Sequence, residues 1–452
     1  MSMMRLELSN INKIKSASID LKGLTVIAGT NDTGKSTLGK MLFTVVKSLG
    51  ETHVNQKEES ANRIMEKLEQ LYSSVTQRYF VSGKSDAREK FRQEFMPPRM
   101  MAEISSSFYG NPLLSGDERE QRLQSYITDK KEQILSFDFG PSLRESCHAK
   151  LDAIYEEISE KIEPESLFAR ELHTGIKSEF MSNVCSAGTN GSSIAFYGEE
   201  GYVRVEINND EIKDVEMSSD LYLLLTDVTF IETPLYMQLM NIFSRAVTYK
   251  DLASKRGILG SLNPIVPMHI KDLANKLELS QYNFGKQAAD VMGIGKIIDG
   301  YFEYDKKTRN FQIVRKQHGK TVKVKSINVA SGIKMFGLMQ LLLEAGEINE
   351  NRMLIIDEPE NHLHPKWQIE CARLLVKMAK TGIPLMVSSH SPYFIQGIRY
   401  FANKEQAEEL VNYYLAEEDK ESGYSVVTEV TDDLNKVFVK LAEPMNEIMN
   451  LD

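Results

Sequence analysis

Two short runs of residues carry the chemistry in this chain. Gly29-Thr-Asn31-Asp32-Thr33-Gly34-Lys35-Ser36-Thr37 fits the spacing G-x-x-x-x-G-K-[ST]. A loop with little side-chain bulk at its turn points lets backbone N–H groups wrap phosphate oxygens, and a helix start adds its positive end. Lys35 would neutralise charge on the outer phosphates of a bound nucleotide, and the Ser36 hydroxyl would meet a Mg²⁺ ion. Gly29, Asn31, Asp32, Thr33, Gly34 and Thr37 complete the expected cradle. Far along the chain, Leu354-Ile-Ile-Asp357-Glu358-Pro359 delivers two carboxylates at the end of an apolar run. The sequence predicts Asp357 on Mg²⁺ through water and Glu358 as the group that orients or deprotonates an attacking water. Either run alone could be an ordinary Gly-containing turn or an acidic strand end. Together they read as the two halves of a nucleotide-hydrolysing site.

Two further runs are weaker alone. In Val387-Ser-Ser-His390-Ser-Pro392 a lone His stands at a strand end, where a structural role is the ordinary outcome. Its place 32 residues after Glu358, on the next strand of a βαβ unit, favours a catalytic contact with the outermost phosphate. In Asn328-Val-Ala-Ser331-Gly332-Ile-Lys334 a Ser-Gly pair opens a helix, which makes an anion site or, on local pattern alone, a plain N-cap at Ser331.

These residues need a scaffold that brings strand ends together. Residues 4 to 28 read as short strands closing on Leu24-Thr-Val-Ile-Ala28, followed by a helix through Leu38–Val46. Residues 50 to about 185 are rich in Glu, Lys, Gln, Arg and Met at helical spacing, with breaks at Pro97-Pro98 and Gly110-Asn-Pro112. They predict a helical insertion (50–185) that splits an ATPase head into 1–49 and 186–452. Strands return at 194–197, 202–207 and 227–231, with a mostly helical stretch over 236–292. A second β region covers 297–329, a long helix follows Ser331, a strand runs 353–356, a helix 366–380, and another strand starts at Leu385.

Composition narrows the class. The chain has 452 residues, 42% hydrophobic and 26% charged, as in ordinary globular proteins. No apolar run is long enough to span a membrane, and the first residues lack a signal-peptide core. Three scattered cysteines support neither disulfides nor a zinc hook, so the expected place is a reducing cytoplasm. A formal net charge of −10 argues against a protein coated for duplex binding.

The order of the motifs resembles the ABC-type ATPases, in their SMC-like, RecF-like and OLD-family branch. The resemblance rests on the strand-loop-strand lead into Gly29–Thr37, on Glu358-Pro-Glu-Asn-His-Leu-His-Pro365, and on Ser388-Ser-His-Ser-Pro392. It implies an α/β fold with a mixed central sheet and an antiparallel β subdomain, and ATP with Mg²⁺ as ligands. It also implies a head-to-head homodimer in which Ser331, Gly332 and Lys334 of one copy complete the ATP site of another. The family's Gln-bearing loop has no clear counterpart, and Glu232 in Ile231-Glu-Thr-Pro is where a further Mg²⁺ contact is sought. With about 60 residues after His390 and no nuclease motif, the arrangement resembles ATPase subunits of two-gene anti-phage systems of the PARIS and Septu types. The expected partner is then a separately encoded effector, a nuclease, with DNA or a phage protein as trigger and no membrane. The alternative is a DNA repair ATPase that clamps DNA on dimerisation.

Three local features stand beside these motifs. Lys306 to Lys325 holds eight basic residues and no acidic one. That is a nucleic-acid surface or, as charge runs usually are, a solvated hairpin face. His362 and His364 read as structural rather than metal ligands, and Trp367 as a core anchor.

Overall fold

The computed structural model describes residues 4–78, 85–105, 116–159, 164–189, 191–218, 225–248, 265–282, 292–361 and 363–449. The expected loop at Gly110–Pro112, parts of the 236–292 stretch and His362 lie outside them. The chain divides into two compact units, one of Met1–Gly50 with Phe168–Asp452 and one of Glu51–Leu167.

The larger unit is organised by one eleven-stranded sheet. Its strands are β1 (Met4–Ile11), β2 (Ile14–Leu21), β3 (Leu24–Gly29), β4 (Ser192–Tyr197), β5 (Tyr202–Asn208), β6 (Glu211–Met217) and β7 (Asp227–Ile231). β11 (Arg352–Asp357), β12 (Leu385–Ser389), β13 (Val411–Glu418) and β14 (Ser425–Glu429) complete it. The order is β6-β5-β4-β1-β2-β14-β13-β3-β12-β11-β7. From β6 to β2 neighbours run antiparallel, and from β13 through β7 they run parallel. The two halves have different sequences for a physical reason. β3 and β12 are buried at every position and read as continuous apolar runs, as strands covered on both faces must. β5 alternates buried and exposed residues, as a strand with one wet face does. β6, Glu-Ile-Lys-Asp-Val-Glu-Met, escaped the sequence reading because only its Ile, Val and Met positions are shielded, and charge hides the alternation.

A second sheet has three antiparallel strands, β8 (Tyr301–Asp305), β9 (Asn310–Gln317) and β10 (Lys320–Lys325), ordered β10-β9-β8. The basic run therefore spans the β8–β9 turn and the β9–β10 hairpin, with β10 at the edge. Lysines on an edge strand discourage other strands from pairing with it.

The helices are α1 (Lys35–Arg78), α2 (Ser85–Phe95), α3 (Pro97–Ile104), α4 (Gly116–Leu135), α5 (Pro141–Ser159) and α6 (Pro164–Phe180). Then come α7 (Tyr236–Phe243), α8 (Met268–Leu279), α9 (Ile294–Ile298), α10 (Ser331–Glu344), α11 (Pro365–Lys380), α12 (Pro392–Lys404) and α13 (Asn435–Met449). α2 to α5, with the later part of α1, build the smaller unit. Its core pairs Ile64, Leu68, Leu71 and Val75 of α1 with an aromatic cluster. In that cluster Phe91 and Phe95 stack at 4.8 Å, and Phe137 and Phe139 at 5.2 Å. The last turns of α6 belong to the larger unit, because Phe168, Leu172 and Ile176 are buried in its core with Leu38, Leu42 and Phe43 of α1. The helical stretch predicted over 50–185 is thus divided by packing near Leu167. The expected fold class is the one observed: α/β, with a mixed central sheet, an antiparallel β portion and added helices.

Candidate nucleotide-hydrolysis site

The loop between β3 and α1 is built as a phosphate cradle. Asp32 and Gly34 adopt left-handed backbone angles, with φ of 61° and 79°. At Gly34 a Cβ would also run into the Ile14 side chain, so glycine is required twice over. The first backbone bond of α1 runs from Leu38 N to Gly34 O at 3.1 Å. The N–H groups of residues 34 to 37 therefore have no partner inside the helix and face the loop mouth. Thr33 is buried and donates its hydroxyl to Thr30 O at 2.9 Å, which pins the loop from within.

β12 lies between β3 and β11, so the ends of the strands that carry the loop, His390 and Asp357–Glu358 are consecutive along one sheet edge. Ser36 Oγ donates to Asp357 Oδ2 at 2.7 Å, across 321 positions of sequence. Ser388 Oγ donates to the other Asp357 oxygen. The Glu358 N–H meets Ser388 O at 3.2 Å and Ser388 Oγ at 3.1 Å. Glu358 itself has φ of 48°, rare for a residue with a Cβ. An L-residue tolerates that only where its surroundings hold it, and such strain gathers at functional positions.

Around Glu358 the charges are closely set. Asn361 Nδ2 donates to Glu358 Oε2 at 2.7 Å. Lys35 Nζ lies 3.8 Å and His390 Nδ1 3.1 Å from Glu358 Oε1. His390 Nδ1 makes no hydrogen bond there despite its closeness. Partial burial would raise the Glu358 carboxyl, but Asn361, His390 and Lys35 outweigh it and hold it below its ordinary value. Lys35 is 5% exposed, and burial lowers its ammonium pKa against the pull of Glu358 and Asp357. Its Nζ donates to Thr30 O at 2.7 Å. Asn31 and Asp32 are exposed at the mouth of a cleft of about 280 Å³ that Thr33, Gly34, Lys35, Ser36, Thr37 and Glu358 also line.

Three features of this site were not read from the sequence. Asn12 and Lys13, in the β1–β2 turn, line the same cleft, and Lys13 Nζ lies 3.4 Å from Asp32 Oδ2. The signal was the Asn10-Ile-Asn12 turn, whose two asparagines are left-handed. Glu360 is 3% exposed, and its Oε1 accepts from Ser389 Oγ at 2.6 Å, His390 N at 2.9 Å and Ser391 N at 3.2 Å. It ties the acidic loop after β11 to the end of β12, while its own burial raises its pKa. Third come the partners of Glu232, a residue the sequence itself singled out: Tyr236 Oη at 2.6 Å, His269 Nε2 at 3.2 Å and Lys40 Nζ at 3.7 Å. His269 foremost, then Tyr236 and Lys40, pull the Glu232 carboxyl down to about 2 against partial burial.

Among the described residues, no hydrogen bond or ion pair joins Ser331, Gly332 or Lys334 to this edge. Ala330, with φ −59° and ψ 144°, is the N-cap of α10, so Ser331 is the first helical residue and the capping reading of Ser331 is wrong. The cause is that α10 starts one residue earlier than a Ser331 cap would require, so the Ser331 hydroxyl is not spent on a backbone N–H of the helix. Lys334 is 3% exposed, and burial alone lowers its pKa; no carboxylate among the described residues compensates it. His364 is the N-cap of α11, where Nδ1 accepts from Lys366 N at 3.3 Å, and Trp367 packs edge-on to Phe336 at 5.6 Å; both are structural, as expected. The described residues contain no cluster able to hold a metal by protein ligands alone, and no helix apolar enough to cross a membrane.

A family model described as AAA ATPase domain matches residues 1–395. No curated protein matches the chain. Solved structures similar to this chain include three at 11% identity. An SMC head bound to the C-winged helix domain of ScpA has a TM-score of 0.43, covering 96% of this chain and 99% of that one. The SMC head domain from Thermotoga maritima has 0.39, covering 95% and 99%. The SMC head domain from Pyrococcus furiosus with an extended coiled coil has 0.42, covering 98% and 99%.

Proposed function

The chain belongs to the AAA ATPase domain family, an ATP-hydrolysing one, and we propose that its loop 29–37 binds ATP while Glu358 activates the attacking water. The observation that carries this is the Ser36–Asp357 hydrogen bond at 2.7 Å, which joins the two motifs at one point. A hydroxyl and a carboxylate are the hard oxygen donors Mg²⁺ takes, and Mg²⁺ needs few protein ligands beside phosphate and water. Ser36 and Asp357 would hold it, and it would neutralise charge on the phosphates. The N–H groups of residues 34 to 37 and Lys35 then bind the phosphates. Lys35 exchanges Thr30 O for phosphate oxygen at little cost in geometry, because its stem is already buried along the loop. Glu358, kept ionised at neutral pH, accepts a proton from water, and His390 beside it contacts the outermost phosphate. Glu358→Gln tests the assignment: nucleotide binding persists while phosphate release falls by about 10²–10⁴-fold. A variant hydrolysing at the native rate would refute it.

The family's composite site extends the reading to a dimer. Ser331 with an unspent hydroxyl, the first N–H groups of α10, and uncompensated Lys334 form half of an anion site. ATP on a second copy supplies the other half. Hydrolysis then reports assembly, and this switch governs a separately encoded effector, a nuclease, in anti-phage defence. The motif order and its resemblance to two-gene systems motivate that role. Co-purification of a neighbour-encoded nuclease, released or activated on infection, is the expected result. Recovery of the chain alone, and no phage phenotype on deletion, would overturn it.

One observation favours the DNA-clamp alternative. Lys320 and Lys325 are exposed on edge strand β10, while Lys323 is partly occupied by Glu303 at 2.8 Å. On that reading, duplex binding requires ATP, weakens steeply with salt, and is lost on reversing these charges.

A further inference from the structure

Four elements beside the phosphate loop meet in a chain of ionisable groups. Glu179 lies in the last turn of α6, His269 in the first turn of α8, Glu232 just after β7, and Lys40 one turn beyond Ser36 on α1. The His269 and Glu179 side chains are completely buried. Nδ1 of His269 lies 2.6 Å from Glu179 Oε2, and its backbone N–H donates to Glu179 Oε1 at 2.8 Å. Nε2 lies 3.2 Å from Glu232 Oε2, which also accepts from the Tyr236 hydroxyl at 2.6 Å. A carboxylate oxygen at each ring nitrogen makes both nitrogens donors. Glu232 Oε1 is left facing Lys40 at 3.7 Å. Ile231 pairs with Ile356 in the parallel β7–β11 ladder, so Glu232 follows onto the sheet edge beside Asp357.

We propose that His269 and Glu179 are positioning residues for ATP hydrolysis: they clamp one oxygen of Glu232 so that the other is presented to the water and cation side of the site next to Asp357. The pair is poorly explained by stability alone. A buried ion pair is often no better than apolar residues of the same volume. Phe43 and Phe230 already surround the imidazole, with ring centroids at 6.2 and 5.0 Å, and would pack an apolar side chain. What only the ionic chain supplies is a fixed direction for Glu232.

The inference rests on the ATP site proposed above, and the test separates the two. kcat and KM for ATP are measured for E358Q, E232Q, H269Q, E179Q and the double variant E232Q/H269Q, with nucleotide affinity and melting temperature measured on each. H269Q and E232Q should each lower kcat by about tenfold, the usual size for loss of such a partner, with affinity nearly unchanged. The double variant should be no slower than E232Q alone. E179Q, which retains an acceptor oxygen, should lose less than H269Q, and it carries the test if H269Q does not fold. Multiplied losses in the double variant, or E179Q at the native rate when H269Q is unfolded, overturn the proposal. So does E232Q at the native kcat while E358Q is inactive, which leaves the ATP site standing. E358Q at the native rate would bring down both.

Discussion

The sheet edge at β3, β12 and β11 and the start of α10 are two places where this chain gathers polar groups, and they are completed in opposite ways. At the sheet edge the lysine and the aspartate are both answered within the chain: Lys35 has Glu358 and Thr30 O, and Asp357 has Ser36 and Ser388. Glu360 has three donors on one oxygen. At α10 a buried lysine has no carboxylate among the described residues, and a serine beside it leaves its hydroxyl off the helix N–H groups. A site that is satisfied alone can be assembled before its ligand arrives. In the proposed dimer, the unanswered cation at α10 is met by an anion brought by a second copy, since burying charge without a partner costs free energy.

The contrast can be sharpened by perturbing each side. The largest effect is expected for Glu358→Gln, with a fall in kcat of about 10²–10⁴-fold in steady-state phosphate release and little change in folding. Next is Asp227→Asn at the base of β7. Asp227 lies 2.8 Å from Lys47 Nζ and 2.9 Å from Lys276 Nζ, and Asp272 lies 2.6 Å from Lys47. Removing one member of such a buried set should cost about 3 kcal/mol near neutral pH by denaturant titration. The sign with pH follows from the shift. Burial opposes ionisation of Asp227, but Lys276 and Lys47 bring its pKa from 3.8 to about 2. Its stabilisation is present above pH 3.8 and is lost as pH falls through 2. Native protein and variant should therefore converge in stability in strong acid and diverge above it.

A smaller loss is expected for Gly337→Ala, about 1–3 kcal/mol by calorimetry, because a Cβ there meets the Phe302 ring on which α10 is seated. The smallest stability effect should come from Lys334→Met, within about 1 kcal/mol and in either direction, since no internal ion pair is broken. Its hydrolysis should nevertheless fall well below native. A large loss of stability in that variant would mean that Lys334 is answered inside the chain and would erase the contrast.

The legibility of these regions differed in the same way. β3, β11 and β12 read directly because buried parallel strands are unbroken apolar runs, and the loop and carboxylates sit at their ends. Lys35, Ser36, Asp357, Glu358 and His390 converge because those strands are neighbours, and the order of motifs already anticipated that. What could not be read was anything set by pairing across distant segments. Asn12 and Lys13 reach the cleft only because the β1–β2 turn lies against Gly34. Glu360 looks like one more acidic surface residue until β12 is laid beside β11. His269 and Glu179 come from helices with no motif at all. The Ser331 cap failed by a single residue, which is the usual uncertainty of a helix start. The basic run read correctly as a hairpin, but its edge position in a separate sheet follows from pairing that no local pattern encodes.

The central claim is that the answered edge of one copy and the unanswered α10 start of another make one ATP site. Two inactive variants, K35A and S331R, test it when mixed. In a mixed dimer one composite site has both mutations and the other has neither. The account predicts that each variant alone is folded but does not hydrolyse ATP, and that mixing them restores phosphate release. A mixture that co-assembles yet stays inactive, or an S331R protein that hydrolyses ATP at the native rate, would contradict it.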